Sequence, residues 1–123
     1  AVLIGTAFLR CPEATISDVH RRALAQMADD GTVLTNVFSG RPARGIVNRL
    51  VREVGPISKI APEFPLAGAA IGPLRSASEA ASSLDFAQMW AGQAAPLGRE
   101  MPAGELTRTL AREGLERLGS LSR

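Results

Sequence analysis

The sequence predicts an α/β chain that is mostly helical, with one buried strand at its start and a short extended segment after the first helix. Three features lead there. The opening Ala1-Val2-Leu3-Ile4 is apolar without alternation, which suits a parallel strand covered on both faces. Several later stretches repeat their apolar residues at helical spacing, while residues 32–38 are rich in β-branched side chains. The composition, 46% hydrophobic and 21% charged over 123 residues, supplies a core for one domain.

Bulk properties narrow the function classes. Aromatic residues make up only 4% and tyrosine is absent, so stacking on single-stranded nucleic acid has little to work with. The net charge is +2, and the sequence pI of about 9.5 reflects arginine in place of lysine, not a large positive excess. No basic run accompanies it, so no nucleic-acid partner is expected. The single cysteine, Cys11, has no partner for an internal disulfide, which favours a reducing compartment. Neither a signal peptide nor a membrane-length apolar span is found, and a cytoplasmic location away from membranes is the expectation.

Gly5 and Thr6 follow the opening strand as its exit turn, where glycine permits close approach to the backbone and threonine adds a hydroxyl beside free amides. A parallel strand needs neighbours reached by crossovers, and the sequence opens inside this one without an initiator Met. The expectation is that the chain is the tail end of something larger. Ser17 then serves as N-cap of a helix over residues 18–27, with Asp18 in its first turn and Val19, Ala23, Leu24 and Met27 on one face. His20, the only histidine, sits in that first turn, where a solvated or capping side chain is favoured over a general base. Cys11, before Pro12, reads as packing in preference to a nucleophile.

Gly31 is placed at the left-handed position that ends this helix, and residues 32–38 form the extended segment. Ser39-Gly40-Arg41-Pro42-Ala43-Arg44-Gly45 reads as a turn whose arginines either bind a phosphate or carboxylate in bidentate fashion or pair with acidic side chains elsewhere. A second helix is expected over 46–54, and an irregular but apolar stretch over 56–73. A short helix starts at Ser76 or Ser78, and another covers 84–90, where Trp90 anchors a core or an interface. The final helix runs from Pro102 to about residue 118, with Leu106, Leu110, Leu118 and Leu121 as its stripe and Glu113 and Arg117 as an i,i+4 pair. Residue types alone reveal no metal-ligand cluster, phosphate loop of the Gly-Lys-Ser/Thr type or Ser-His-Asp set.

The wording of the chain nevertheless resembles a known family. Gly5-Thr6-Ala7-Phe8-Leu9, Cys11-Pro12-Glu13-Ala14, Phe38-Ser39-Gly40-Arg41-Pro42-Ala43-Arg44-Gly45 with Asn48, Leu74-Arg75, Asp85-Phe86 and Trp90-Ala91-Gly92-Gln93-Ala94-Ala95 resemble, in order, the carboxyl-terminal part of the nitronate monooxygenase (2-nitropropane dioxygenase) family. The resemblance implies a fragment of a TIM-barrel-like flavoenzyme using flavin mononucleotide (FMN), which oxidises alkyl nitronates with O2 to a carbonyl compound and nitrite. It assigns residues 1–30 to the last barrel strand, the phosphate turn and the following helix, and 31–123 to a mainly helical segment packed on the rest of the barrel. Gly5 and Thr6 match the position that binds the flavin phosphate, and Gly92 and Gln93 match a segment at the active-site mouth. No catalytic residue is carried over, because the family's histidine motif lies upstream and His20 does not match it. Two other readings stay open: a fragment of the related flavin-dependent enoyl-acyl carrier protein reductase, and a non-catalytic helical interaction module. A barrel takes ~250 residues, so this chain alone is expected to be inactive, completed by a missing amino-terminal half or by another copy in a homo-oligomer.

Overall fold

A hairpin absent from the expectations above forms the centre of the computed structural model, which describes residues 2–121. Strand β1 (Thr32–Thr35) pairs antiparallel with β2 (Ala43–Ile46), with Leu34 opposite Arg44 and Val33 opposite Gly45. The extended segment expected over 32–38 is therefore shorter. The second half of the expected turn, Ala43-Arg44-Gly45, is a strand. The link between them turns at Gly40, whose φ of +88° is left-handed and whose amide donates to Asn36 O at 2.8 Å.

A third extended piece lies where a helix over 84–90 was expected. Trp90 bridges Gly45 in antiparallel fashion, Ile46 N donates to Met89 O at 2.8 Å, and Ala91 N donates to Arg44 O at 3.3 Å. Ala87, Met89 and Ala91 are buried while Gln88 and Trp90 are half-buried, a period of two. Pairing with β2 satisfies the backbone here, so the helical reading fails. Gly45 makes this approach possible: a Cβ there would stand 3.0 Å from both Met89 O and a Phe38 ring carbon.

Two apolar clusters flank this centre. Helix α1 (Asp18–Gln26) packs Val19, Ala23 and Leu24 against Ile46, Ala87, Met89, Ala91 and Ala95. Ser17 caps α1 as expected, accepting from His20 N at 3.2 Å. The second cluster joins Val37 and Phe38 to Leu50 and Val51 of α2 (Arg49–Val54), and the Phe38 and Trp90 rings meet edge to face at 5.4 Å. Asn48 pins the two clusters together. Its Oδ1 accepts from Val51 N, capping α2, while Nδ2 donates to Leu84 O and Ala87 O at 3.0 and 2.8 Å.

Several boundaries differ from the expectations. Residues 2–4 form no strand, and Val2 and Leu3 are fully exposed at 86% and 101%. Among the described residues nothing hydrogen-bonds to them as a neighbouring strand would, and Ala1 lies outside the described residues. The helix over 46–54 starts only at Arg49, because Ile46 belongs to β2. Gly31 is not left-handed; a Cβ there would collide with the Met27 side chain, so close packing accounts for the glycine. The irregular stretch contains α3 (Leu66–Ala70), and α4 (Gly72–Ala80) starts ahead of Ser76, with Pro73 in its first turn. Ser78 is instead buried, its hydroxyl donating to Ser83 O and accepting from Phe86 N.

The chain closes on α5 (Ala103–Leu121), whose first amide donates to both Glu13 carboxylate oxygens at 3.1 and 3.2 Å. Leu106 is buried, but Leu118 and Leu121 face solvent, so only the first part of the expected stripe packs. Glu113 pairs not with Arg117 but with Arg99, in a two-point contact of 2.7 and 2.8 Å that holds its carboxyl below the usual range. No described helix is long and apolar enough to cross a membrane.

Candidate functional site

Residues 6 and 92 meet at the exit turn. The 3-10 turn Thr6–Arg10 directs the Thr6 side chain at the segment after Trp90, where Thr6 Oγ1 accepts from Gly92 N at 2.9 Å. The preceding residue, Ala91, gives its amide to Arg44 O. Two consecutive amides thus fasten β2 on one side and the Gly5-Thr6 turn on the other, and both of the residue pairs singled out in the sequence come to one place. Gly5, Thr6, Gly92 and Gln93 line a shared recess of about 270 Å³ with Ala7 and Ala94. Gln93 is exposed at its edge.

The chemistry of this turn suits an anion. Among the described residues, none accepts a hydrogen bond from the backbone amides of Gly5, Thr6 or Ala7. The Thr6 hydroxyl, already accepting from Gly92, keeps its proton to donate. No carboxylate lines the recess. Gly5 has a φ of −112°, accessible to any residue, and a Cβ on it would meet no described atom within 4 Å. Neither backbone conformation nor internal packing requires glycine there, and what remains is the open space that a bound group would occupy. These features fit an anionic group such as a phosphate.

The other singled-out residues have structural roles. His20 is buried at 8% exposure, not solvated, and its Nε2 lies 2.9 Å from Trp90 O, so the neutral ring donates there. Burial lowers its pKa, against the opposing pull of that bond. The helix turn that places Val19 and Ala23 inward carries His20 inward too, which the first-turn position alone did not reveal. Cys11 is buried, and burial, with the Glu13 charge adding, pushes its thiol pKa up, in line with packing. Arg41 stacks over the Phe64 ring at 4.4 Å. Arg44 Nη1 donates to Thr32 O and Oγ1 at 3.3 and 3.2 Å. Neither arginine forms an ion pair among the described residues. No group of three or more potential metal ligands is found among them either.

Residues 1–113 match the protein-family model for nitronate monooxygenase. The nitronate monooxygenase of Pseudomonas aeruginosa is 43% identical over 114 residues, covering 92% of this chain and 32% of that protein. The corresponding protein of Paraburkholderia phytofirmans is 39% identical, covering 92% and 31%. Among solved structures, the nitroalkane oxidase of Streptomyces ansochromogenes superimposes with a TM-score of 0.84 at 41% identity, over 96% of this chain and 33% of its own. FabK from Thermotoga maritima shares the fold alone, with a TM-score of 0.69 at 22% identity, over 99% and 36%. The chain belongs to the nitronate monooxygenase family. It spans about a third of the length of the curated relatives it matches.

Proposed function

We propose that this chain is the carboxyl-terminal portion of an FMN-dependent nitronate monooxygenase, which oxidises alkyl nitronates with O2 to a carbonyl compound and nitrite on a TIM-barrel-like fold. The observation that carries the reading is the Thr6–Gly92 hydrogen bond, which gathers the amides of the Gly5-Thr6 turn, the Thr6 hydroxyl and the Gly92-Gln93 segment around one carboxylate-free recess. Family membership and the likeness to a nitroalkane oxidase support it.

In this reading residues 1–30 contribute the last barrel strand, the phosphate turn and the helix behind it. Residues 31–123 pack against the rest of the barrel. Bound flavin supplies the electron acceptor for the nitronate. Gly5 lets the phosphate approach the backbone, the Gly5, Thr6 and Ala7 amides and the Thr6 hydroxyl donate to it, and Gly92 holds that hydroxyl in place. Gln93 stands at the mouth, with its amide available to solvent or substrate. The exposed Val2, Leu3 and Ile4 then become a buried strand once neighbours flank them. No proton-transferring residue is assigned to this chain, since His20 gives its ring proton to Trp90 O and does not line the recess at the turn.

The test compares this chain alone with the same chain joined to the amino-terminal two-thirds of the Pseudomonas aeruginosa relative. The joined protein is expected to bind FMN stoichiometrically and consume a nitronate with O2, and the chain alone to do neither, because it offers the phosphate turn without the pocket for the flavin ring. Stoichiometric FMN binding and turnover by the chain alone would overturn the fragment reading. Unchanged FMN affinity after Thr6→Val in the joined protein would overturn the phosphate assignment.

A further inference from the structure

We propose that Arg44 is a positioning residue for the cofactor's phosphate, contributing the positive charge that the Gly5-Thr6 turn lacks. The inference rests on the reading of that turn as a phosphate site and adds a residue from a distant part of the chain.

A second recess, of about 380 Å³, adjoins the first and shares Gly5, Thr6 and Gly92 with it. Arg44 lines its other side, next to Trp90. Arg44 is carried there by the backbone. Its carbonyl accepts from Ala91 N, while the next amide, Gly92 N, holds Thr6, so residues 44 and 6 are anchored to adjoining peptide units. The side chain is braced as well, since Nη1 donates twice to Thr32 across the hairpin. That leaves Nε and Nη2 with no acceptor among the described residues.

A guanidinium that is half-buried, braced and without a carboxylate partner is poised for an external anion. The lining of both recesses holds no acidic side chain to compete for it. A phosphate monoester is a dianion over most of the physiological range, and three backbone amides with one hydroxyl supply only partial charges against it. Arginine supplies a full charge and a planar two-donor edge. Arg41, of the same sequence block, stacks on Phe64 and lines neither recess. The block thus divides its two arginines between packing and ligand.

The test titrates inorganic phosphate into the isotope-labelled 123-residue chain and follows the amide signals of Gly5, Thr6 and Gly92 together with the side-chain Nε–H of Arg44. All four are expected to move along one binding curve. Arg44→Gln should weaken that curve roughly ten-fold or more, as loss of a charge-assisted contact does, and Arg44→Lys should weaken it less. Thr32→Val, which removes only one of the bracing acceptors and leaves the charge, should bind with nearly native affinity. Remaining amide shifts close to those of the native chain show that each variant is folded. If the turn amides titrate but the Arg44 signal stays still and Arg44→Gln binds as well as the native chain, the Arg44 inference falls while the turn reading stands. If the turn amides do not respond to phosphate, the phosphate site itself is wrong, and Arg44 falls with it.

Discussion

Replacing Asn48 should cost this fold more than any other single polar substitution described above. The side chain is 3% exposed and makes three hydrogen bonds: it accepts from Val51 N and donates to Leu84 O and Ala87 O. Asn48→Ala removes an N-cap, worth about 1 kcal/mol, and orphans two carbonyls at about 1 kcal/mol each. The total is ~3 kcal/mol, a large share of the stability of a domain this size. Asn48→Asp separates the contributions. It keeps the cap acceptor, loses both donors and sets a carboxylate against two carbonyl oxygens, so it should destabilise at least as much as alanine at neutral pH and recover partly in acid, where a protonated carboxyl can donate once. Asn48→Ser, with a hydroxyl that still caps, should lose ~2 kcal/mol. Urea unfolding followed by Trp90 fluorescence measures all three, because Trp90 lies on the segment that Asn48 holds. An Asn48→Ala variant within about 0.5 kcal/mol of the native chain would refute this account of how the 84–91 segment is held.

His20 gives a pH dependence with a definite sign. Its folded-state pKa lies below 6.5, so the unfolded chain binds the extra proton first, and stability should fall as pH drops below about 6.5 and level off below the folded pKa. In His20→Gln, whose amide can still donate to Trp90 O, the urea midpoint should lose this slope between about pH 5 and 7. Gly40→Ala places a Cβ on a left-handed residue and 2.5 Å from Pro62 O, so the melting temperature should drop by an amount equivalent to about 2 kcal/mol or more; an unchanged melting temperature would contradict the turn geometry. Thr6→Val removes the acceptor of Gly92 N and should cost ~1 kcal/mol while speeding hydrogen exchange at the Gly92 amide, which a purely surface threonine would leave unchanged.

Helix α1 was legible from local sequence, whereas the start of α2 at its Asn48 cap was not. Ser17 and its first-turn Asp18 fixed the start of α1, and the spacing of its apolar residues predicted Val19, Ala23 and Leu24 as buried, though not His20. Elements that depend on a distant partner were not legible in this way. The 84–91 segment has apolar residues that satisfy both a helical period and the alternation Ala87, Met89, Ala91, and only its pairing with β2 decides between them. Arg44 was read as part of a turn because Gly40 and Pro42 dominate the block, yet the turn ends before Ala43. The opening apolar run was read as a buried strand, but residues 2–4 form none and pair with no strand among the described residues. The site fared differently. Gly5, Thr6, Gly92 and Gln93 were singled out by resemblance and Arg44 as one of two candidate anion binders, but the amide that joins the first four and the placement of Arg44 beside them came from the tertiary arrangement alone.

The Thr6–Gly92 hydrogen bond spans 86 residues of sequence. A contact of that separation closes a long loop and contributes nothing until the intervening chain has been laid down, so it belongs to the late events of folding. During synthesis the exit turn leaves the ribosome long before the segment that fastens it. The turn can therefore mature only after the 89–91 edge has docked on β2, and its closure becomes a report that the chain between residues 6 and 92 has folded.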